Sequence, residues 1–323
     1  MYHIIVNPIA GHGRTIYHLP VITKLFESYG LPCEAHLTTD IMEGYHLAKR
    51  LCSNLNESNC MGIIGVGGDG TFQEIVAGMA DAFTENFLEN CKDNKKIPVP
   101  LGMLPAGSGN DFIMTLGGGK ANALASYKKK IETIAKNLVE SIANNKTRTI
   151  DLITSNGTAF INIGNIGLDA RIVQNAHSLK AKYGRKAYIA AVYKSIAQHK
   201  SIQLEIEVDG KDFSGKYSLV AVCNGQYYGG GLRIAPAASI NDGKITLCLV
   251  ESTSRLRLMT IFPTILAEKH VNLKIFKMLE CENVRITLPS TVEFLCLDGN
   301  LYPQEANKTI EFNILPNALD VFV

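Results

Sequence analysis

Short apolar runs alternate with stretches of helical spacing through the first part of the chain. Ile4 to Val6 is a β-branched run that leads into the turn-forming Asn7-Pro8-Ile9-Ala10-Gly11-His12-Gly13. Ile16, Leu19, Ile22, Leu25, Phe26 and Tyr29 then recur at helix spacing until Gly30-Leu31-Pro32 closes the helix. A second helix is predicted from about Met42 to Ser53, and the apolar strand Met61 to Val66 runs directly into Gly67 and a helix from Phe72. A third strand, Val99 to Leu104, leads into Pro105-Ala106-Gly107-Ser108-Gly109-Asn110-Asp111. Strands alternating with helices predict a parallel sheet, and such sheets bind ligands beyond the C-terminal ends of their strands. All three glycine-rich turns fall at that edge.

The pattern changes after a polar helix, rich in Lys and Asn, predicted at about Ala121 to Asn145. From Thr149 onward, short apolar runs alternate with turn signals: Ala159 to Ile163, Gln203 to Val208, Tyr217 to Cys223, Ile245 to Val250, Val284 to Leu288 and Val292 to Leu297. Val208-Asp209-Gly210-Lys211 carries the Asp-Gly pair of a tight hairpin. Helical stretches near Lys180 to His199 and Ser254 to Glu268 interrupt the strands. The reading is an α/β domain over 1–145 and a mostly β sandwich over 146–323, with the C-terminal segment able to pack back on the first domain.

Composition narrows this picture. At 323 residues the chain suits two domains, and 46% hydrophobic with 19% charged residues fits a folded protein. A net charge of +2 gives no basis for nucleic-acid binding. The N-terminus shows no basic leader or cleavage site, and no apolar run approaches the roughly 18 residues of a membrane span. Eight cysteines lie scattered without a C-x-x-C pair, so reduced thiols in the cytoplasm are expected and zinc is not.

The chemistry concentrates in Gly67-Gly68-Asp69-Gly70-Thr71, between a strand and a helix. Glycines let backbone amides approach phosphate oxygens, and the helix N-terminus adds unpaired N–H groups. Asp69 would repel a phosphate unless a cation stood between them, so it reads as Mg²⁺-linked or proton-handling. The plainer alternative is a tight turn with Asp69 as helix cap. A Rossmann site needs G-x-G-x-x-G and an acidic residue on the next strand, and a P-loop needs a Gly at the right distance before Gly119-Lys120 or Gly243-Lys244; neither pattern is present. Ser108 and its neighbours can reach the same phosphates, Asn110-Asp111 can cap the turn that follows, and Asn7 with Gly11 would form a third wall.

These residues, from Asn7-Pro8 through the Gly67 turn to Leu104-Pro105-Ala106-Gly107-Ser108-Gly109-Asn110-Asp111-Phe112, resemble the catalytic domain shared by diacylglycerol kinases, sphingosine kinases and bacterial soluble lipid kinases. Phe160 to Ala170, Asn224 to Gly231, Ala235-Pro236-Ala237-Ala238 and Asp242-Gly243 extend the likeness over nearly the whole chain, which is most similar to the bacterial soluble type. The resemblance implies a nucleotide domain of the kind found in NAD kinases and phosphofructokinases, joined to a β-sandwich, with ATP and Mg²⁺ in the cleft and a lipid alcohol such as diacylglycerol as acceptor. It implies that Gly67, Gly68, Asp69, Gly70, Thr71, Phe72, Gln73 and Ser108 hold ATP, with Thr39 nearby or Asp40 in its place. It also implies a structural Mg²⁺ on Asp242 and the carbonyls of Ser239 and Lys244, although Asn241-Asp242-Gly243 alone reads as a turn.

One position departs from the family. Asp298-Gly299-Asn300 stands where the family has Asp-Gly-Glu, whose Glu acts as general base, and an amide accepts no proton at neutral pH. The base would then be Asp69, Asp298 or Glu305, or activity would be weakened or lost. On this reading Asn300→Glu is expected to preserve or raise turnover. A kinase of a soluble acceptor and a non-catalytic nucleotide binder are the alternatives. Lys180, Lys182, Arg185, Lys186, Lys194 and Lys200 allow peripheral contact with the anionic inner membrane surface, or simply form a solvated helix face. A homodimer is compatible with all of this.

Overall fold

Four parallel strands, β1 (Tyr2–Val6), β2 (Cys33–Leu37), β3 (Gly62–Gly67) and β4 (Leu101–Pro105), stand in the order β2-β1-β3-β4. The computed structural model describes residues 1–13, 15–83, 96–107, 109–117, 131–168, 171–173, 190–289, 294–304 and 308–323. β1 and β3 are covered on both faces, which is why they read as unbroken apolar runs. β2 is the edge and mostly exposed, so Cys-Glu-Ala-His-Leu gives no apolar signal and the strand is not predicted from sequence.

The helices in chain order are α1 (Ala10–Gly13), α2 (Thr15–Ser28), α3 (Glu43–Ser53), α4 (Leu55–Ser58), α5 (Asp69–Asp81), α6 (Asp111–Leu116), α7 (Ile131–Ala143) and α8 (Arg255–Leu266). On one face of the sheet, Ile4 and Val6 meet Ile22 and Phe26 of α2 and Leu138 and Val139 of α7. On the other, Ile5 and Ile63 meet Leu47 and Leu51 of α3 and Phe72, Ile75 and Val76 of α5. The expected helix of 121–145 is α7 over its described part; its first residues lie outside the described ones.

The remaining strands are β5 (Thr147–Ser155), β6 (Thr158–Phe160), β7 (Ile163–Gly167), β8 (Ile202–Val208), β9 (Lys211–Asp212), β10 (Gly215–Cys223), β11 (Tyr227–Tyr228), β12 (Leu232–Arg233), β13 (Ile245–Glu251), β14 (Phe276–Cys281), β15 (Asn283–Thr287), β16 (Phe294–Leu297), β17 (Asn300–Pro303) and β18 (Thr309–Phe322). Most of them build the predicted sandwich, with β11 and β12 forming a separate pair. One layer runs β17-β16-β7-β10-β13-β14, and the other holds β8, β15, β18 and β5. Phe160, Ile166, Ile206, Val222, Leu247, Ile286 and Phe312 fill the space between them. The Asp209-Gly210 turn forms as predicted, with φ of 46° and 77° and Val208 opposite Lys211.

β18 ties the two halves together. It pairs antiparallel with β5 and β15, and its end lies parallel to β4 through Val321 and Leu101. Its alternation is broken at Pro316-Asn317, where the register with β5 shifts between Leu315 and Leu319, so the sequence shows no continuous strand there. Among the described residues no helix is long and apolar enough to cross a membrane.

Candidate active site

The three glycine-rich turns converge at the C-terminal edge of the parallel sheet. Asn7 Nδ2 donates to Thr71 Oγ1 at 3.1 Å, while its Oδ1 accepts from the Ile9 amide, so the first loop is fastened to the second. The Gly67 carbonyl accepts from the amides of Ala106 and Gly107 at 2.7 and 3.1 Å, fastening the second loop to the third. At Gly11, with φ of 60°, a Cβ would stand 2.8 Å from the Ala106 carbonyl oxygen, and at Gly107 one would stand 2.5 Å from the Gly68 Cα. These contacts are backbone against backbone and cannot yield cheaply. Gly107→Ala is therefore expected to lower stability by about 2 kcal/mol or more and to weaken nucleotide binding with it, as read by denaturant midpoint and ATP titration.

The Gly68 N-cap of α5 carries no side-chain cap, so the helix opens onto this cradle with backbone amides and its positive dipole end. The side chains of Phe72 and Gln73 point elsewhere: both are fully buried, Phe72 in the core under β1 and β3. Those two residues offer a nucleotide only backbone. Ser108 lies outside the described residues, as do Glu305 and the basic residues Lys180 to Lys186.

Asp69 sits at the centre. Its Oδ1 accepts from the Phe112 amide at 3.2 Å, so this aspartate caps α6 from another loop. Asn110 does not cap that helix, contrary to the expectation: its left-handed backbone (φ 52°) turns its side chain back to the Gly107 amide and carbonyl. Asp111 instead crosses to the second half, where it accepts from the amides of Gly230 and Gly231 at 2.7 to 3.1 Å. Asp69 Oδ2 and Asp111 Oδ2 both face the point where a Cβ on Gly109 would lie, at 2.9 and 3.0 Å. A side chain at 109 would collide with both carboxylates, so glycine there lets the two aspartates approach the same loop. Burial raises the pKa of Asp69 against its amide bonds.

Asp298 is fully enclosed by the chain reversal at 161–163, accepting from the amides of Ile161, Asn162 and Ile163 at 2.7 to 3.3 Å. Burial pushes its pKa up to about 7, with the charge of Asp69 adding to the rise. Both of its oxygens are taken up by amides, which makes Asp298 a strut of the site. Next to it, Asn300 Nδ2 donates to the Gly70 carbonyl at 3.0 Å and to Gln73 Oε1 at 2.8 Å. Gln73 Oε1 also accepts from the Tyr302 hydroxyl, and its Nε2 donates to the Ala159 carbonyl. This network sews β17 to the N-terminal turn of α5.

Thr39 follows β2, exposed, with its hydroxyl donating to Glu43 at 3.0 Å; the Thr39 amide donates to the same carboxylate, and Asp40 caps Ile41. Both residues serve the start of α3. In the second half, Asp242 Oδ1 accepts from the Lys244 amide at 3.0 Å, and Ser239 Oγ bonds Asn241. Sequence reasoning missed Asp151, whose buried carboxylate accepts from the Gly243 and Asn317 amides at 2.7 Å each and lies beside Asp242. An aspartate inside an apolar strand, Ile150-Asp151-Leu152, was the available signal.

Behind Gly230 and Gly231 lies an apolar cavity between β10, β13 and the helical residues 190–198 and α8. Leu168, Ile196, Leu219, Tyr228, Leu232 and Ile261 are among its walls. It holds about 40 Å³ of free space. Tyr228 and Leu232 of its walls flank the glycines that Asp111 holds.

Comparison with known proteins agrees with this anatomy. Residues 1–155 match the diacylglycerol kinase catalytic domain, and residues 163–323 match the YegS C-terminal NAD kinase beta sandwich-like domain. The chain is 29% identical to a diacylglycerol kinase of Bacillus subtilis, over 92% of this chain and 88% of the relative. It is 24% identical to a diacylglycerol kinase of Mycobacterium tuberculosis, over 98% and 93%. A crystal structure of a diacylglycerol kinase from Bacillus anthracis shares the fold, with a TM-score of 0.69 at 22% identity over 99% of this chain and 96% of that one.

Proposed function

The chain belongs to the bacterial diacylglycerol kinase family of lipid kinases, and from that membership and the site's geometry we propose that it transfers the γ-phosphoryl group of ATP to the hydroxyl of diacylglycerol or a related lipid alcohol. The observation that carries the reading is an apolar cavity whose walls include Tyr228 and Leu232, on either side of the glycines held by Asp111 of the third loop. Residues 1–145 then form the nucleotide domain and 146–323 the acceptor domain.

In this reading the amides at the start of α5 hold the phosphates, and the bonds from Asn7 to Thr71 and from Gly67 to Ala106 keep the cradle shaped before ATP arrives. Mg²⁺, held by Asp69 with Asp111 behind it, would neutralise charge on the phosphoryl group. The acceptor oxygen forms a bond to the γ-phosphorus as the bond to the bridging oxygen of ADP breaks. In a loose transition state the hydroxyl proton leaves late, and Asn300, held as a donor, does not take it. Asp242, with the carbonyls of Ser239 and Lys244, is assigned a second, structural Mg²⁺ beside Asp151.

Incubation with radiolabelled ATP and a total lipid extract, with and without Mg²⁺, tests the proposal. Label entering the organic phase only with Mg²⁺ supports it; label confined to a water-soluble product selects a soluble acceptor instead, and ATP binding without transfer selects a non-catalytic role. The cavity gives a second check. Ile261→Phe narrows it and is expected to raise the KM for lipid about tenfold or more while the KM for ATP stays within about twofold. Equal changes in both constants would count against the cavity as the acceptor site.

A further inference from the structure

A second cluster of chemistry-bearing side chains lies at the other end of the parallel sheet, away from the loop edge. In the register of β1 against β2, His3 stands beside Glu34 and Ile5 beside His36, so His3, Glu34 and His36 share one face. His3 Nδ1 and His36 Nε2 are 3.0 Å apart, and Glu34 Oε2 lies 3.7 Å from the first and 4.0 Å from the second. His3 is almost wholly buried and its Nε2 faces the Ser58 carbonyl, at the end of α4, at 3.3 Å. A carbonyl only accepts, so Nε2 carries the proton and Nδ1 presents its lone pair to His36. A metal-ligating histidine usually has its other ring nitrogen fixed by a carbonyl or carboxylate in this way.

We propose that His3, His36 and Glu34 bind a divalent cation of the Zn²⁺ type, clamping edge strand β2 to β1. Tetrahedral coordination with metal–nitrogen distances near 2.0 Å places ligand atoms about 3.3 Å apart, so each must move only a few tenths of an ångström. Two imidazoles and one carboxylate suit a borderline ion better than Mg²⁺ or Ca²⁺. The exposed side of Glu34 leaves the fourth position to water. Cysteine spacing argued against zinc, but this site uses no thiol. The Arg50 guanidinium acts on His36 in the sense that works against a cation.

Titration of the metal-freed full-length chain with Zn²⁺ alone, and with Co²⁺ for its visible absorption, tests the site. One equivalent is expected to bind with micromolar or tighter affinity, raise the melting temperature and give the intense Co²⁺ bands of tetrahedral coordination. His36→Ala and Glu34→Gln, both at accessible positions, should each weaken binding at least about tenfold, and Arg50→Gln should tighten it several-fold at low salt. Absence of saturable Zn²⁺ binding in the wild type would overturn the proposal and leave a histidine–histidine hydrogen bond. Unchanged affinity in Glu34→Gln and His36→Ala would equally overturn it, assigning the metal to thiols.

Discussion

Asp69→Asn is expected to reduce phosphoryl transfer by about a hundred- to a thousandfold while the protein stays folded. The amide oxygen of an asparagine can still accept from the Phe112 amide, so the cap on α6 survives. What disappears is the charge at Oδ2, which like Asp111 Oδ2 lies close to Gly109. An asparagine NH₂ there can donate to Asp111, which stabilises the fold and blocks the cation at once. Steady-state assays should show the loss in kcat at saturating ATP and Mg²⁺, and unchanged ATP consumption would sink the assignment. Stability supplies a second readout. The pKa of Asp298 is raised in the folded state to about 7, so the stability it contributes is full below about pH 4 and is lost as pH rises through about 7. Removing the neighbouring charge lowers that pKa, so the drop in urea midpoint between pH 5 and pH 8 should be smaller in Asp69→Asn than in the wild type.

The meeting of the glycine-rich loops was legible in the sequence because its constraint is local: loops that meet backbone to backbone must be glycine at the crossing, as at Gly68 and Gly107. The parallel sheet was legible because β1 and β3 are buried on both faces and spell continuous apolar runs. What escaped depends on distant partners. Asp111 reads as a helix cap until the fold brings it to Gly230, 119 positions away, and Gln73 reads as part of the nucleotide turn until Asn300 and Tyr302 arrive from β17. β2 and β18 were hidden for different reasons, one by being an exposed edge and the other by the break at Pro316-Asn317. His3 and His36 are likewise unremarkable in sequence and meet only because β1 and β2 pair in that register.

Asn300→Glu is expected to destabilise the protein by about 2–4 kcal/mol and to lower turnover, reversing the expectation drawn from the family pattern. The pattern suggests that restoring a glutamate restores a base. The geometry shows that Asn300 is a donor facing two acceptors, the Gly70 carbonyl and Gln73 Oε1. A carboxylate there has no proton to offer either oxygen and brings a negative charge within reach of Asp69 and Asp298. Gln73 cannot simply flip to help, because its Nε2 is committed to the Ala159 carbonyl and its Oε1 also receives the Tyr302 hydroxyl. Each lost bond sets a carboxylate oxygen against an acceptor oxygen, and both losses fall on the seam that closes β17 over the start of α5. Asn300→Asp should behave in the same direction, while a glutamate at 300 combined with a small, uncommitted residue at 73 should recover part of the stability. Denaturant midpoints for the single and double variants, with kcat measured on the same preparations, check this; a single Asn300→Glu variant as stable as the wild type and equally or more active would refute the donor role assigned to Asn300.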